Sequence, residues 1–294
     1  MSLTARLGIG FMRALATLPF PVVRGVGAVL GRVLHTVAVP RRHVVDTNLA
    51  LCFPDRSPAE RRRIARETFV FVAQSWLDRS WLWHAPEAVV AGRLRVVGAP
   101  AEIEEIAHGS APLILFAPHF YGLDAAATAL TMHTARPSTT IYTTQRDPLV
   151  DAWIREGRQR FGNVITLNRA EGIKPIVAGL RKGGLLYLLP DMDFGREQTV
   201  FVPFYGVQAS TIPSLSRFAR LGKARVVPIV SRLTATGYDI EVLPAWQGFP
   251  SDDAVADTAL MNLRLQGYID AMPSQYYWVH RRFKTRPEGQ PPVY

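Results

Sequence analysis

LILFAPHFYGLDAAATAL (residues 113–130) decides the fold. An unbroken apolar run ends at Pro118, meets His119, bends through Gly122 and restarts as an alanine-rich helix over about 122–133. A short apolar run without polar alternation reads as a strand buried on both faces. The same texture recurs from residue 94 onward. PLILFAP, STTIYTT, GLLYLLP and ARVVPIVSRL are strand-like, and helical patterns over about 148–161, 172–182, 211–221 and 252–271 lie between or after them. That alternation predicts an α/β fold, a mostly parallel mixed sheet flanked by helices. VSRLTATGYDIEVLP reads as a hairpin, so one strand pair is antiparallel.

His119 and Asp124 stand five apart. The spacing alone carries little weight, but its position carries more. In open α/β sheets ligands gather at the carboxyl ends of strands, beside helix N-termini. His119 stands at such an end, and Asp124 falls in the first turn of the next helix, where the dipole favours a carboxylate. Two readings stay open. In one, the two residues never meet. In the other, Asp124 folds back on His119 Nδ1, orients the ring and leaves Nε2 free as a general base. No G-x-S-x-G elbow occurs and Cys52, the sole cysteine, lies far off in sequence, so the pair would activate a substrate hydroxyl directly. One cysteine also excludes a disulfide framework and a cysteine metal cluster.

Three further clusters accompany the pair. Arg155, Arg158 and Arg160 fall on one predicted helix, with Arg155 and Arg158 sharing a face. Asp191 and Asp193 follow a strand-like run and would hold a cation or position an arginine; with no third ligand in view, no metal is expected. Arg281, Arg282, Lys284 and Arg286 crowd the C-terminal end, either as a phosphate site or as a solvated charge run.

The chain of 294 residues has a net charge of +10, and residues 1–66 hold eleven arginines, no lysine and three acids. Such an end attracts polyanions. Residues 3–40 are apolar but broken by Arg13, Arg24 and Arg32, and the longest uncharged stretch, Ala14–Val23, has ten residues. A spanning helix wants roughly 20. The segment therefore reads as interfacial, with arginines at headgroup depth; the other reading is a helical hairpin packed on a soluble core. Gly27 and Gly31 form a G-x-x-x-G pair that plain close packing explains equally well. Ser57, Pro58 and Glu60 predict a capped helix to about Trp83, with an apolar stripe of Phe69, Val72, Trp76 and Leu77 turned to the core.

Taken together, the N-terminal segment, NLALCFPDRSPAERRRIARETF, HFYGLD, YTTQRDPLVDAWIREGRQRFG, LPDMDFG, VFVPFYGVQAST and MPSQYYWVHRRFKTRPEG resemble the lipid A biosynthesis acyltransferases, the lauroyl and myristoyl transferases of Gram-negative bacteria. The resemblance runs almost end to end. It implies a fold similar to glycerolphosphate acyltransferases, with residues 1–45 as a membrane-associated helical segment and 46–294 as the acyltransferase domain. It implies transfer from an acyl carrier protein thioester, as co-substrate and without a cofactor, to a hydroxyl of an anionic lipid A precursor at the cytoplasmic face of the inner membrane. By match to the family motif His119 is the base and Asp124 its partner, while Arg158 and Asp191 fall at substrate-site positions. Many members carry Tyr-Arg-Pro where this chain has Tyr142, Thr143 and Thr144, so that arginine's task is vacant or falls to Arg146. Arg155 and Arg281 complete the expected substrate-binding set. Two alternatives stand beside this reading: the same transfer to another membrane lipid or secondary metabolite, and a non-catalytic basic membrane-binding protein. No zinc-finger or RNA-binding signature supports a nucleic-acid partner.

Overall fold

In the computed structural model, which describes residues 2–294, the apolar run Leu113–Phe116 is wholly buried and central to a seven-stranded sheet. In chain order the elements are α1 (Leu3–Leu15), α2 (Phe20–Val37), α3 (Val39–Cys52), α4 (Pro58–His84), α5 (Glu87–Ala91), β1 (Leu94–Gly98), α6 (Pro100–His108), β2 (Leu113–Phe116), α7 (Leu123–Met132), β3 (Ser138–Tyr142), α8 (Pro148–Arg158), β4 (Val164–Asn168), α9 (Lys174–Arg181), β5 (Leu185–Leu188), β6 (Val200–Phe204), β7 (Val207–Thr211), α10 (Ser214–Gly222), β8 (Arg225–Leu233), β9 (Tyr238–Val242) and α11 (Ala254–Asp270). The sheet order is β1-β9-β8-β2-β5-β3-β4, with β6 and β7 forming a separate hairpin. Only β8 and β9 pair antiparallel within the large sheet, as the hairpin pattern predicts.

The period of two along β2 divides its side chains between two cores. Ile114 and Phe116 pack with Ile64, Phe69, Leu180, Phe218 and Leu265 on one face. Leu113 and Leu115 pack with Trp81, Ala125, Ala129 and Trp153 on the other. The five helices anticipated after residue 120 all form. Not anticipated as strands were β6 and β7 of the separate hairpin, nor β1 and β4, the edge strands of the sheet, whose partly solvated residues lack the buried apolar signature.

Helix α4 starts with the expected capping box: Ser57 Oγ accepts from the Glu60 amide at 3.2 Å, and Glu60 Oε2 accepts from the Ser57 amide at 2.8 Å. Its stripe differs from the expectation. Phe69 and Leu77 are buried, but Trp76 is 50% exposed and carries the Arg79 guanidinium 4.3 Å above its ring.

The N-terminal segment folds as two helices broken at Pro19, and residue 45 lies inside α3. Helix α2 lies on α4 through its glycines. A Cβ on Gly31 would stand 2.4 Å from Val70 Cα, and one on Gly27 would stand 2.8 Å from Gln74 Cγ. Close packing is therefore what the G-x-x-x-G pair achieves. Arg24 is not at headgroup depth. It points into the protein, with Nη2 3.1 Å from buried Asp78 Oδ2 and 3.2 Å from the Gly237 carbonyl. The physical reason is a waiting counter-charge: Asp78, fully buried, needs a cation more than Arg24 needs solvent. On the outer side, Val22, Val26, Val29, Val33 and Val37 recur at helical spacing and stay exposed, as do Leu3, Leu7 and Phe11 on α1. Among the described residues α2 is the one helix long and apolar enough to cross a bilayer, with mean hydropathy 1.2, which is consistent with membrane association.

Candidate active site

Strands β2 and β5 are parallel neighbours, with Phe116 and Leu188 as Cα partners. Each strand leaves the sheet in the same way: Ala117-Pro118-His119 after one, Leu189-Pro190-Asp191 after the other. Three residues past the last pair, His119 and Asp191 therefore meet. Asp191 Oδ1 lies 2.7 Å from His119 Nδ1, and Oδ2 accepts the His119 backbone N–H at 3.0 Å and the Tyr276 hydroxyl at 3.0 Å. Burial alone would raise the Asp191 pKa, but the His119 ring and the donated hydrogen bonds outweigh it and hold it below the ordinary value. A carboxylate only accepts, so the His119 proton sits on Nδ1 and the lone pair on Nε2.

Asp124 does not fold back on His119. It sits buried in the first turn of α7, and two guanidinium groups occupy its oxygens: Arg79 Nε and Nη2 both at 2.8 Å from Oδ2, and Arg158 Nε at 3.0 Å from Oδ1. Burial opposes ionisation here too. Arg158 and Arg79 overcome it and bring the pKa down to about 2. With its lone pairs taken by two cations, and Nδ1 of His119 already bound to Asp191, no reason remains for the two to meet.

Of these groups, four open on one cavity of about 1070 Å³. That is at the upper edge of the roughly 300–1,000 Å³ usual for small-molecule sites. His119, Asp124, Arg79 and Arg158 line its polar part, and Leu115, Leu130, Ile141, Ile176 and Phe218 line much of the rest. The cavity has room for a long apolar chain, with the imidazole of His119 on its polar part.

Other expected residues lie elsewhere. Arg155 pairs with Asp151 at 3.3 Å, and exposed Arg146 and Arg281 lie outside the cavity wall. Arg160 follows the end of α8, and its guanidinium caps the Leu82 and Ala85 carbonyls. Asp193 is committed to Thr285, accepting its N–H at 2.7 Å and its hydroxyl at 2.8 Å. The C-terminal basic run is divided: Arg282 is buried against Ser210 and Thr211, Arg286 reaches the Gln208 carbonyl, and Arg281 and Lys284 face solvent. Sequence reasoning missed Arg79, on a helix that reads as core, and Tyr276, whose hydroxyl is spent on Asp191. His280, flagged only as part of a motif, lines the cavity.

With this geometry in hand, comparison with known proteins is specific. Residues 2–285 match the family described as bacterial lipid A biosynthesis acyltransferase. The chain is 33% identical over 291 residues to the lipid A biosynthesis lauroyltransferase of Escherichia coli (strain K12), covering 98% of this chain and 94% of that protein. It is 34% identical over 287 residues to a lipid A biosynthesis acyltransferase of Haemophilus influenzae, covering 97% of this chain and 88% of the other. The lipid A biosynthesis myristoyltransferase of Escherichia coli (strain K12) is 29% identical over 293 residues, covering 97% and 88%.

Proposed function

The chain belongs to the bacterial lipid A biosynthesis acyltransferase family, and from that membership we propose that it carries out a secondary acylation with His119 as general base. The donor is an acyl chain held as a thioester on acyl carrier protein, and the acceptor is a hydroxyl on a fatty chain of a lipid A precursor. His119 Nε2 takes the hydroxyl proton as the oxygen attacks the thioester carbonyl. The tetrahedral intermediate then expels the thiolate, which recovers the proton from Nε2. Asp191 keeps the ring in the tautomer that leaves Nε2 basic and stabilises the imidazolium that forms. Asp124 is a positioning residue: it holds Arg79 and Arg158, whose charge exceeds its own, toward an anionic substrate group. The observation that carries this reading is the His119–Asp191 pair at the wall of a large, mostly apolar cavity.

The outward apolar stripes of α1 and α2 support residues 1–45 as the membrane-associated part and 46–294 as the acyltransferase domain, working at the inner membrane's cytoplasmic face. The net charge of +10 favours an anionic membrane, an anionic acceptor and an acidic carrier alike.

A second reading changes only the acceptor. Thr143 lines the cavity, at the position where the family resemblance implies an arginine in many members; if that arginine meets the acceptor phosphate, its task here is vacant or falls to Arg146. Mass spectrometry of lipids from cells lacking the gene tests both readings, with complementation by wild type or His119→Ala. Loss of one acyl chain from lipid A, restored only by wild type, is the expected result. An unchanged lipid A with another lipid shifted moves the acceptor, and rescue by His119→Ala removes the base.

A further inference from the structure

The loop Asp191–Asp193 holds two imidazoles, not one. The Asp191 carboxylate takes the Nδ1 proton of His119. Two residues on, the Asp193 backbone N–H donates to His280 Nε2 at 3.1 Å. An amide N–H requires a lone pair, so Nε2 of His280 is unprotonated and the ring's single proton sits on Nδ1. That nitrogen makes no hydrogen bond among the described residues, and the ring lines the same cavity as His119. Burial, then Arg282 and His119, press the His280 pKa down to about 4, so the ring is neutral at physiological pH.

The two rings are also tied through the backbone. Tyr277 donates its N–H to the His119 carbonyl at 3.0 Å, and His280 donates its N–H to the Tyr277 carbonyl at 3.2 Å. Asn48 Nδ2 holds the His280 carbonyl at 2.8 Å. Both rings line the cavity, His119 with its lone pair on Nε2 and His280 with its N–H on Nδ1.

We propose that His280 is a catalytic hydrogen-bond donor, its Nδ1–H receiving the thioester carbonyl oxygen and stabilising the oxyanion formed there. This rests on the reading of His119 as base. As the acceptor oxygen bonds to the acyl carbon, its proton passes to His119 Nε2. The carbonyl π pair moves onto the oxygen facing His280. Collapse returns that pair, breaks the C–S bond and sends the proton from His119 to the thiolate. His280 neither gains nor loses a proton. Its lone pair is occupied by Asp193, so it is no base, and a neutral imidazole N–H is too weak an acid to release. A neutral imidazole polarising a carbonyl is an established catalytic device.

The test compares two substitutions in a purified transfer assay with an acyl-thioester donor and a lipid acceptor. His280→Phe keeps the ring shape and removes the donor. His280→Asn keeps an amide nitrogen where Nδ1 stood. The expected result is a kcat about 100- to 1,000-fold lower for His280→Phe, with both KM values within about threefold, and substantial recovery for His280→Asn. The proposal is overturned if His280→Phe retains kcat within about threefold of wild type. It is equally overturned if the loss falls on KM instead, or if both variants lose kcat equally while melting like wild type. Nitrogen-15 NMR of histidine-labelled wild-type protein decides independently of any variant, since an Nε2–H tautomer at His280 excludes the proposal. His119→Ala, run alongside, separates the readings. If it abolishes transfer while His280→Phe does not, only the donor role falls; if it leaves transfer intact, the base falls and the donor role with it.

Discussion

Asp191 grips His119 at two points, through Oδ1 on Nδ1 at 2.7 Å and through Oδ2 on the backbone N–H at 3.0 Å, across 72 residues of chain. One oxygen fixes the ring's tautomer, and the other fixes the backbone from which the ring hangs. Asp191→Asn keeps the size but puts an amide on at least one of those contacts. An amide that donates to Nδ1 forces the proton onto Nε2, where the base is needed. The expected loss in kcat is on the order of 10³- to 10⁴-fold, with KM little changed, read in steady-state transfer kinetics.

The ion pairs at Asp124 give the fold a defined acid sensitivity. Its folded-state pKa of about 2 lies below the ordinary 3.8. A depressed carboxyl stabilises the fold fully above its unfolded value and loses that stabilisation as pH falls through the folded one. The contribution is about 2 kcal/mol from pH 5 to 8 and fades between pH 4 and pH 2. Urea unfolding of wild type and Asp124→Asn across that range checks it. A gap between the two that stays constant down to pH 2 would contradict it.

The contact between α2 and α4 predicts opposite effects for two nearby glycines. A Cβ on Gly31 meets Val70 backbone at 2.4 Å, whereas one on Gly25 meets nothing within 4 Å. Gly31→Ala should cost about 1–3 kcal/mol by forcing the helices apart. Gly25→Ala, in an exposed helix interior, should add about 0.5–1 kcal/mol through helix propensity. Thermal melting of both variants in the same detergent gives the signs.

Membrane association through the outer stripes is open to direct measurement. Phe11 is 53% exposed and Val33 50% exposed, so acidic residues there leave the core intact. A Phe11→Glu, Val33→Glu double variant should bind vesicles of phosphatidylethanolamine and phosphatidylglycerol at least about tenfold more weakly, with an unchanged melting temperature. Equal binding by both proteins would mean that these faces do not meet lipid.

The sequence carries the α/β alternation because its central strands are buried on both faces and its helices open on strong caps, as at Ser57 and Asp253. The His119 region was legible for the same reason: a strand end, a glycine and a helix start are local signals. The partner of His119 was not. Asp191 reaches it because β5 lies beside β2, with β3 and β4 pushed outward, and that order is decided by how the crossover helices pack. The shared pattern of one residue, proline and a polar residue after each strand was the available hint. Arg79 gave no signal, since its role depends on α4 crossing above α7, and nothing in SWLDRSW distinguishes that arginine from a surface charge.

Helix α4 carries Val70 against Gly31 of α2 and, nine residues later, Arg79 on Asp124. At 3.6 residues per turn, nine residues amount to about two and a half turns, so the two side chains leave opposite sides of the rod. Apolar helix α2 and the cavity wall are thus set in a fixed phase by one helix. Inserting or deleting a single residue between them would swing Arg79 by about 100°, off Asp124 altogether. Substitutions along this stretch are a matter of degree; its length admits only steps of nearly whole turns.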